Sequence, residues 1–128
     1  MTTAGATVQR TSTPLYKLKG EFFKLLGHPV RIRVLELLSE RERPVGELAT
    51  EVGLETSHLS QQLGVLRRAG VVVARKDGTS VIYSLAAPEI IELLAVARRV
   101  LAVILSGQAD LLKDLEEASP VTRPRRRR

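Results

Sequence analysis

The sequence predicts a mainly α-helical chain with one small β-hairpin, and one continuous stretch supplies the observations behind this prediction. Residues 44–53 and 56–70 each repeat apolar side chains at the spacing of one helix face. Residues 71–76 and 79–85 are rich in β-branched side chains and flank Asp77-Gly78, and such a two-residue loop is a strong hairpin signal. Two helices followed by a hairpin match the winged helix-turn-helix plan, so nucleic-acid binding is the leading hypothesis.

Two further helices are predicted before this stretch. Leu15–Leu26 has its apolar residues on one side and ends before His28, which we expect to cap or pack at the junction. Pro29 suits the first turn of the next helix, residues 30–40, because its missing N–H would have no partner there. That helix is expected to bury Ile32, Leu35 and Leu38. Residues 41–44 then link it to the helix-turn-helix pair.

A long helix is predicted after the hairpin, from Pro88 to about Glu117, and Ser106-Gly107 is the point where it could bend or divide. Ile90–Leu105 is apolar over more of its circumference than one contact with a small domain requires. The first helix is also strongly apolar, which predicts a homodimer built through the N-terminal and C-terminal helices. The alternative is that both faces pack inside one subunit. The residues predicted at the interface are Leu15, Leu18, Phe22, Leu94, Leu101 and Ile104.

Length and composition narrow the class of protein. A chain of 128 residues fits one domain, expected over residues 14–118, after a polar, disordered N-terminal arm of residues 1–13. No apolar run is long enough to span a membrane, and no signal peptide is recognisable, so we expect a cytoplasmic protein. The absence of cysteine excludes disulfides and thiolate metal sites. Two histidines cannot supply a catalytic constellation, so neither enzymatic activity nor a cofactor is expected.

Positive charge is concentrated in two places. The net charge is +6, and five arginines of the tail, residues 119–128, account for most of it. Residues 56–85 carry a local excess of three positive charges, while acidic residues lie elsewhere. A basic module on a nearly neutral body suits binding to double-stranded DNA with an affinity that falls with salt. The low-complexity tail is predicted to be disordered, and it either follows DNA as an electrostatic arm or only keeps the protein soluble.

The second helix of the pair has a face suited to reading DNA. If its leucines point inward, a rotation of about 100° per residue places a polar face on the opposite side. The residues assigned to this face are Ser57, His58, Ser60, Gln61, Gly64 and Arg68. Gln61 can pair with adenine through two hydrogen bonds, and the serines can contact base or phosphate. Three of these residues have alternative roles. Ser57 could instead cap the helix, and His58 could be an inert exposed side chain. Gly64 either lets the helix approach the groove closely or is a small residue that is simply tolerated.

Basic residues outside this face are candidates for phosphate contacts. Arg75 and Lys76 lie near the hairpin tip, where they could contact phosphates or the minor groove, or remain solvated. Arg68 could reach phosphate or pair with an acidic neighbour, and Arg31 could also reach the DNA backbone. The residues predicted to bind DNA therefore lie on one face of this helix and on the wing.

Two sequence segments carry a resemblance to a known family. They are HPVRIRVLELL, residues 28–38, and the continuous run from Pro44 to Leu85 with its Ser-x-x-Leu-x-x-Leu-x-x-Ala-Gly-Val-Val segment. The chain resembles the ArsR/SmtB family of dimeric winged-helix repressors from Leu15 to about Leu105. This resemblance implies a homodimer that occupies an inverted-repeat operator in a promoter and blocks transcription. It also implies release of DNA when a metal ion or another signal binds.

The sequence departs from the family at the positions where metals bind. Well-known metal sensors of the family place cysteines before the recognition helix, or carboxylates and histidines on the C-terminal helix. Here residues 45–53 contain no cysteine, and the long helix contains carboxylates but no histidine. Carboxylates alone favour hard ions, so we expect a repressor with no transition-metal site and an unknown effector. The alternatives are a metal-responsive repressor with an unrecognised site and a winged-helix module that binds protein or RNA.

Overall fold

The computed structural model describes residues 12–118, which divide into two compact units between Ile90 and Ile91. The elements in chain order are α1 Leu15–Leu26, α2 Pro29–Glu40, β1 Arg43–Pro44, α3 Val45–Val52, α4 Thr56–Arg68, β2 Val72–Asp77, β3 Ser80–Leu85 and α5 Glu89–Ala118. The predicted tail, and the predicted N-terminal arm apart from Ser12 and Thr13, lie outside the described residues.

Local sequence signals set the helix ends. The Nδ1 atom of His28 accepts a hydrogen bond from the Val30 backbone N–H at 3.2 Å, and Pro29 occupies the first helical position of α2. This confirms the expected junction role of His28. Gly53 ends α3 with a φ of +81° and donates its N–H to the Ala49 carbonyl. Glycine adopts this left-handed conformation without a steric cost from a Cβ atom.

The three strands form an antiparallel sheet in the order β1-β3-β2. The sequence did not predict β1, because a two-residue strand that includes Pro44 shows no alternation to detect. The hairpin loop also differs by one residue from the prediction. Asp77 pairs with Ser80, so the loop is Gly78-Thr79, and the first loop position has a φ of +66°. Glycine adopts this left-handed conformation without the steric cost of a Cβ atom.

Leucines from the helices form the centre of the core. The largest fully buried side chains are Leu35, Leu48, Leu59, Leu63, Leu66, Val34 and Val72. Leu38 is buried as predicted, whereas Ile32 is only half-buried. The buried pairs of α2 are Val34-Leu35 and Leu37-Leu38, so its inward face is centred on them and Ile32 lies at its border. Tyr83 is buried in strand β3 of the wing.

Arg43 is a buried charged side chain that the sequence did not single out, with 6% of its surface exposed. Its Nε donates to the Leu37 carbonyl at 3.1 Å, and its two terminal nitrogens donate to Glu47 at 2.6 Å and to Glu40 at 2.5 Å. Glu47 also pairs with Arg41. These contacts join the end of α2, strand β1 and helix α3, and they compensate the buried guanidinium.

Helix α5 forms the second unit and runs unbroken for 30 residues, through Ser106 and Gly107. The prediction that it could divide at this point is therefore wrong. Glycine lowers helix stability by only about 1 kcal/mol, which the favourable residues around it offset. At 1.5 Å per residue the helix is about 45 Å long. None of the helices within residues 12–118 combines the length and apolar character needed to cross a membrane.

We expect Arg43→Ala to lower the free energy of unfolding by about 2 kcal/mol, because it removes charge-assisted hydrogen bonds from a buried position. The matched control is Arg41→Ala, which removes an exposed partner of the same Glu47 and should cost less than about 1 kcal/mol. Urea unfolding followed by circular dichroism measures both. Equal losses in the two variants would show that burial of Arg43 has no special importance.

The stability of the fold should also depend on the ionisation of Glu47. Hydrogen bonds from Arg41 and then Arg43 hold the pKa of the Glu47 carboxyl below its ordinary value of 4.5. A folded pKa below the unfolded one adds stability above about pH 4.5 that is lost as the pH falls through the folded pKa. We therefore expect the difference in unfolding free energy between the original chain and Glu47→Gln to shrink in acid.

Urea unfolding at pH values from about 7 to about 3 measures this difference. The control variant is Glu51→Gln on the same helix. The difference in unfolding free energy between this variant and the original chain should change much less with pH. A difference between the original chain and Glu47→Gln that stays constant over the whole range would contradict the assignment.

Candidate nucleic-acid interface

Three leucines fix the rotation of α4 about its own axis. Leu59, Leu63 and Leu66 are fully buried and lie on one side of the helix at spacings of four and three residues. Helix α4 contacts α2, α3 and β2 on this side. The inward face is the one that the sequence predicts, so the opposite face points to solvent.

The outward face begins in the first two turns of α4. The side chains of Ser57, His58, Ser60 and Gln61 are all exposed. Within residues 12–118, no hydrogen bond or ion pair joins any of these four side chains to another group. Their donors and acceptors are therefore available to a ligand, and the predicted members of this face share one surface.

The start of α4 leaves backbone N–H groups available as well. Its N-cap residue is Glu55, whose side chain makes no capping hydrogen bond. Ser57 lies inside the helix and is not the cap, so the capping alternative is wrong. The unpaired N–H groups and the positive end of the helix dipole favour an anion, such as a phosphate, beside this first turn.

Gly64 and Arg68 form one feature of the same helix. A Cβ atom at Gly64 would lie 3.2 Å from a terminal nitrogen of Arg68, so the guanidinium occupies the space above the glycine. From the sequence, one possible reason for a glycine here is that it lets the helix approach a DNA groove closely. The structure shows that this space accommodates a neighbouring basic side chain, and it places that exposed charge along α4.

A hydrogen bond between distant residues supports α4 from the side. The Nε of Arg31 donates to Gln62 Oε1 at 2.8 Å, and a terminal nitrogen of Arg31 donates to the Leu25 carbonyl at 2.8 Å. Arg31, a candidate for DNA backbone contact, thus joins the end of α1 to α4. The two partners are 31 residues apart, so no local pattern could reveal the bond.

The two basic residues predicted at the wing have different surroundings. Arg75 pairs with Glu42 through both terminal nitrogens, and this hydrogen bonding lowers the pKa of the Glu42 carboxyl and raises that of the Arg75 guanidinium. Lys76 is exposed and makes no ion pair within the described part of the chain. Lys76 is therefore the readier partner for a phosphate.

Two helices present apolar surface to solvent. In α1, Leu15 and Leu18 are exposed, while Phe22 is half-buried beside Phe23, with ring centroids 5.8 Å apart. The predicted interface residues of α5 are Leu94, which is half-buried, and Leu101 and Ile104, which are exposed. Exposed apolar side chains grouped in this way are typical of interaction surfaces.

Over residues 12–118, no three histidine, cysteine, aspartate or glutamate side chains lie close enough together to hold a metal ion.

Comparison with known proteins gives consistent matches. Residues 28–73 match the family described as bacterial regulatory protein, arsR family. The chain is 66% identical over 112 residues to the uncharacterized HTH-type transcriptional regulator Rv0081 of Mycobacterium tuberculosis. The aligned region covers 87% of this chain and 98% of Rv0081. The crystal structure of Rv0081 superposes with a TM-score of 0.72 at 71% identity, over 77% of this chain and 99% of the other.

Two more distant relatives have informative descriptions. The homodimeric winged helix-turn-helix DNA-binding domain Mb0332 of Mycobacterium bovis matches with a TM-score of 0.66 at 30% identity, over 73% of this chain and 86% of that domain. A biofilm growth-associated repressor of Xylella fastidiosa is 45% identical over 62 residues, which are 48% of this chain and 54% of the repressor.

The identity to Rv0081 extends over nearly the whole of that relative, and the matched region contains the helix-turn-helix pair. The three-stranded sheet and the order of the helices agree with the winged helix-turn-helix fold. The chain therefore belongs to the arsR family of bacterial regulatory proteins.

Proposed function

We propose that this chain is a transcriptional repressor that binds an operator in double-stranded DNA as a homodimer, with α4 in the major groove. The observation that carries the proposal is the outward face of α4, whose exposed polar side chains have no partner among residues 12–118 while its leucines are fully buried. The description of Mb0332 as a homodimeric DNA-binding domain, and that of the Xylella fastidiosa relative as a repressor, support it.

The residues of this surface divide into base readers and phosphate partners. Gln61 stands two turns into α4, and its amide can donate to and accept from one adenine. Ser57, His58 and Ser60 lie around it and supply further contacts to bases or phosphates. Lys76 and Arg68 hold the DNA backbone through charge. Arg75 contributes less, because a phosphate has to replace Glu42 as its partner.

The homodimer uses the exposed apolar surfaces of α1 and α5. Burial of leucine and isoleucine side chains from both copies stabilises such an interface by about 25 cal/mol per Å² of apolar surface. A two-fold axis presents the two copies of α4 to successive major grooves about 34 Å apart. The operator is therefore an inverted repeat whose half-sites are about one helical turn apart.

The repressor acts without a transition-metal effector. Histidine and thiolate are the usual ligands of zinc and nickel, and the chain has two histidines and no cysteine. His28 uses its Nδ1 atom in the cap of α2, and His58 lies on the proposed DNA-binding face. A different effector, or none, controls the release of DNA.

The roles of Gln61 and Lys76 can be separated on an operator obtained by site selection from random duplex DNA. Gln61→Ala should weaken binding to that operator by about 1–3 kcal/mol for each half-site and relax the preference at one base position in each half-site. Lys76→Ala should weaken binding to every duplex about equally and reduce the slope of log affinity against log salt by about 2, because the dimer loses two phosphate partners. Binding isotherms at several salt concentrations, on matched and scrambled duplexes, measure both effects.

The control is Lys19→Ala, which removes the same charge from exposed α1 and should leave the isotherms nearly unchanged. If Gln61→Ala weakened binding to the matched and scrambled duplexes equally, the assignment of Gln61 as a residue that contacts bases would be wrong. If no duplex were selected at all, the module would bind protein or RNA instead of an operator.

Metal addition tests the effector. We expect the affinity for the selected operator to stay within a few-fold when zinc, nickel, cadmium or arsenite is added, because no soft-ligand site is available. Fluorescence anisotropy of a labelled operator measures this, with a chelator-treated sample as the reference. A stoichiometric loss of binding at micromolar metal would contradict the proposal and indicate a site shared between two copies.

A further inference from the structure

One arginine side chain connects three helices of the first unit. Arg31 belongs to α2, and its Nε donates to Gln62 Oε1 of α4 at 2.8 Å. A terminal nitrogen of the same guanidinium donates to the Leu25 carbonyl of α1 at 2.8 Å. The guanidinium is planar and holds its donors in a rigid fork, so the two acceptors keep a fixed relation to each other. These two hydrogen bonds form the Arg31 bridge between α1 and α4.

The end of α1 depends on this guanidinium. The last four carbonyls of a helix have no N–H partner inside it, and in α1 the backbone N–H groups of residues 27 and 28 bond those of residues 23, 24 and 26. The residue four positions after Leu25 is Pro29, which has no N–H to donate. No backbone N–H within residues 12–118 bonds the Leu25 carbonyl, so Arg31 satisfies it and adds a positive charge at the negative end of the helix dipole.

Hydrophobic contact holds only the last turn of α1 within its own unit. Leu26 is the one buried residue of α1, while Leu15, Leu18 and Phe23 are all more than half exposed. The buried leucines of α4 set the rotation of that helix about its axis, but they do not determine where α1 stands relative to it. The Arg31 bridge supplies this second restraint.

The bond to Gln62 is suited to such a role. Arginine has donors only, so the amide oxygen of Gln62 has to face it. Both side chains are half-buried, and a hydrogen bond from a charged donor is about twice as strong as one between neutral groups. Within the described part of the chain no carboxylate pairs with Arg31, so no acidic group draws the guanidinium away from these two acceptors.

We propose that Arg31 is a positioning residue that sets the separation of the two copies of α4 in the DNA-bound homodimer, and with it the spacing between operator half-sites. The proposal rests on the function proposed above, in which α1 lies in the dimer interface and α4 reads a half-site. In that assembly the interface holds α1, and the Arg31 bridge holds α4 at a set distance from α1. Arg31 then acts through α4 and touches neither base nor phosphate.

The geometry of DNA makes such a restraint selective. One added or deleted base pair changes the separation of two half-sites by about 3.4 Å along the DNA axis. Shared between two copies, this requires each α4 to move by about 1.7 Å relative to α1. A shift of this size along either bond would stretch it from 2.8 Å to well beyond the about 3.5 Å at which a hydrogen bond is lost. An intact bridge therefore penalises operators with the wrong spacing.

Two variants remove the bridge from opposite ends. Arg31→Met keeps the length of the aliphatic stem and loses every donor. Gln62→Met keeps the length of the side chain, loses the acceptor and leaves the bond from Arg31 to α1 in place. The matched control is Arg33→Met, which removes the same charge from an exposed position of α2, where Arg33 pairs with Glu36. Circular dichroism establishes a temperature at which all variants are folded, and Gln62→Met alone decides if Arg31→Met does not fold.

Binding isotherms on the selected operator, and on operators with one base pair inserted or deleted between the half-sites, measure the spacing preference. The original chain and Arg33→Met should bind the selected spacing about tenfold or more tightly than the altered spacings. Arg31→Met and Gln62→Met should each reduce this preference to about threefold or less. The double variant should reduce it no further, because both changes remove the same bridge. A loss of folded protein would lower the apparent affinity for all spacings alike and leave their ratio unchanged.

A spacing preference that stays at its original value in Arg31→Met and Gln62→Met would overturn the proposal. So would a weaker affinity for every duplex in Arg31→Met alone, with a slope of log affinity against log salt lower by about 2, since this would show that Arg31 holds a phosphate directly. An original chain that selects no duplex, or that sediments as a monomer at micromolar concentration, would instead contradict the proposed function itself.

Discussion

The burial of one row of leucines along α4 is the constraint on which the rest of the site depends. Leu59, Leu63 and Leu66 have no solvent exposure, and complete burial of each such side chain is worth about 1.5–3 kcal/mol. Turning the helix about its axis would expose all three leucines together. The orientation of the polar side chains on the opposite face is therefore a consequence of the hydrophobic core. A surface for reading DNA requires this rigidity, because hydrogen bonds to base edges tolerate little displacement.

A second constraint holds the sheet of the wing against the helices, and it is polar. Arg43 lies in β1, which pairs with β3, and the side chain of Arg43 reaches back to the end of α2 and forward to α3. The ion pair between Arg75 and Glu42 links β2 to the same segment. Both contacts anchor the sheet from its outer strands. The hairpin that carries Lys76 consequently extends from a fixed base.

Most of the fold could be predicted from the sequence because its helices have strong apolar periodicity and clear end signals. The face of α4 could be predicted for the same reason, since three leucines determine which residues point outward. The missed features depend on long-range contacts. The bond between Arg31 and Gln62 joins residues 31 positions apart, and the pair of Arg75 with Glu42 spans 33 positions. Strand β1 is defined only by its pairing with β3.

In the proposed complex, DNA binds to the outward face of α4 and to Lys76 on the wing. The most direct test is a nuclear magnetic resonance titration of the 15N-labelled chain with the duplex obtained by site selection. We expect the largest shift changes at the backbone amides from Thr56 to Gln61 and at Lys76, with little change in α2. Shift changes confined to α1, or to the exposed surface around Val73, with α4 unaffected would contradict it.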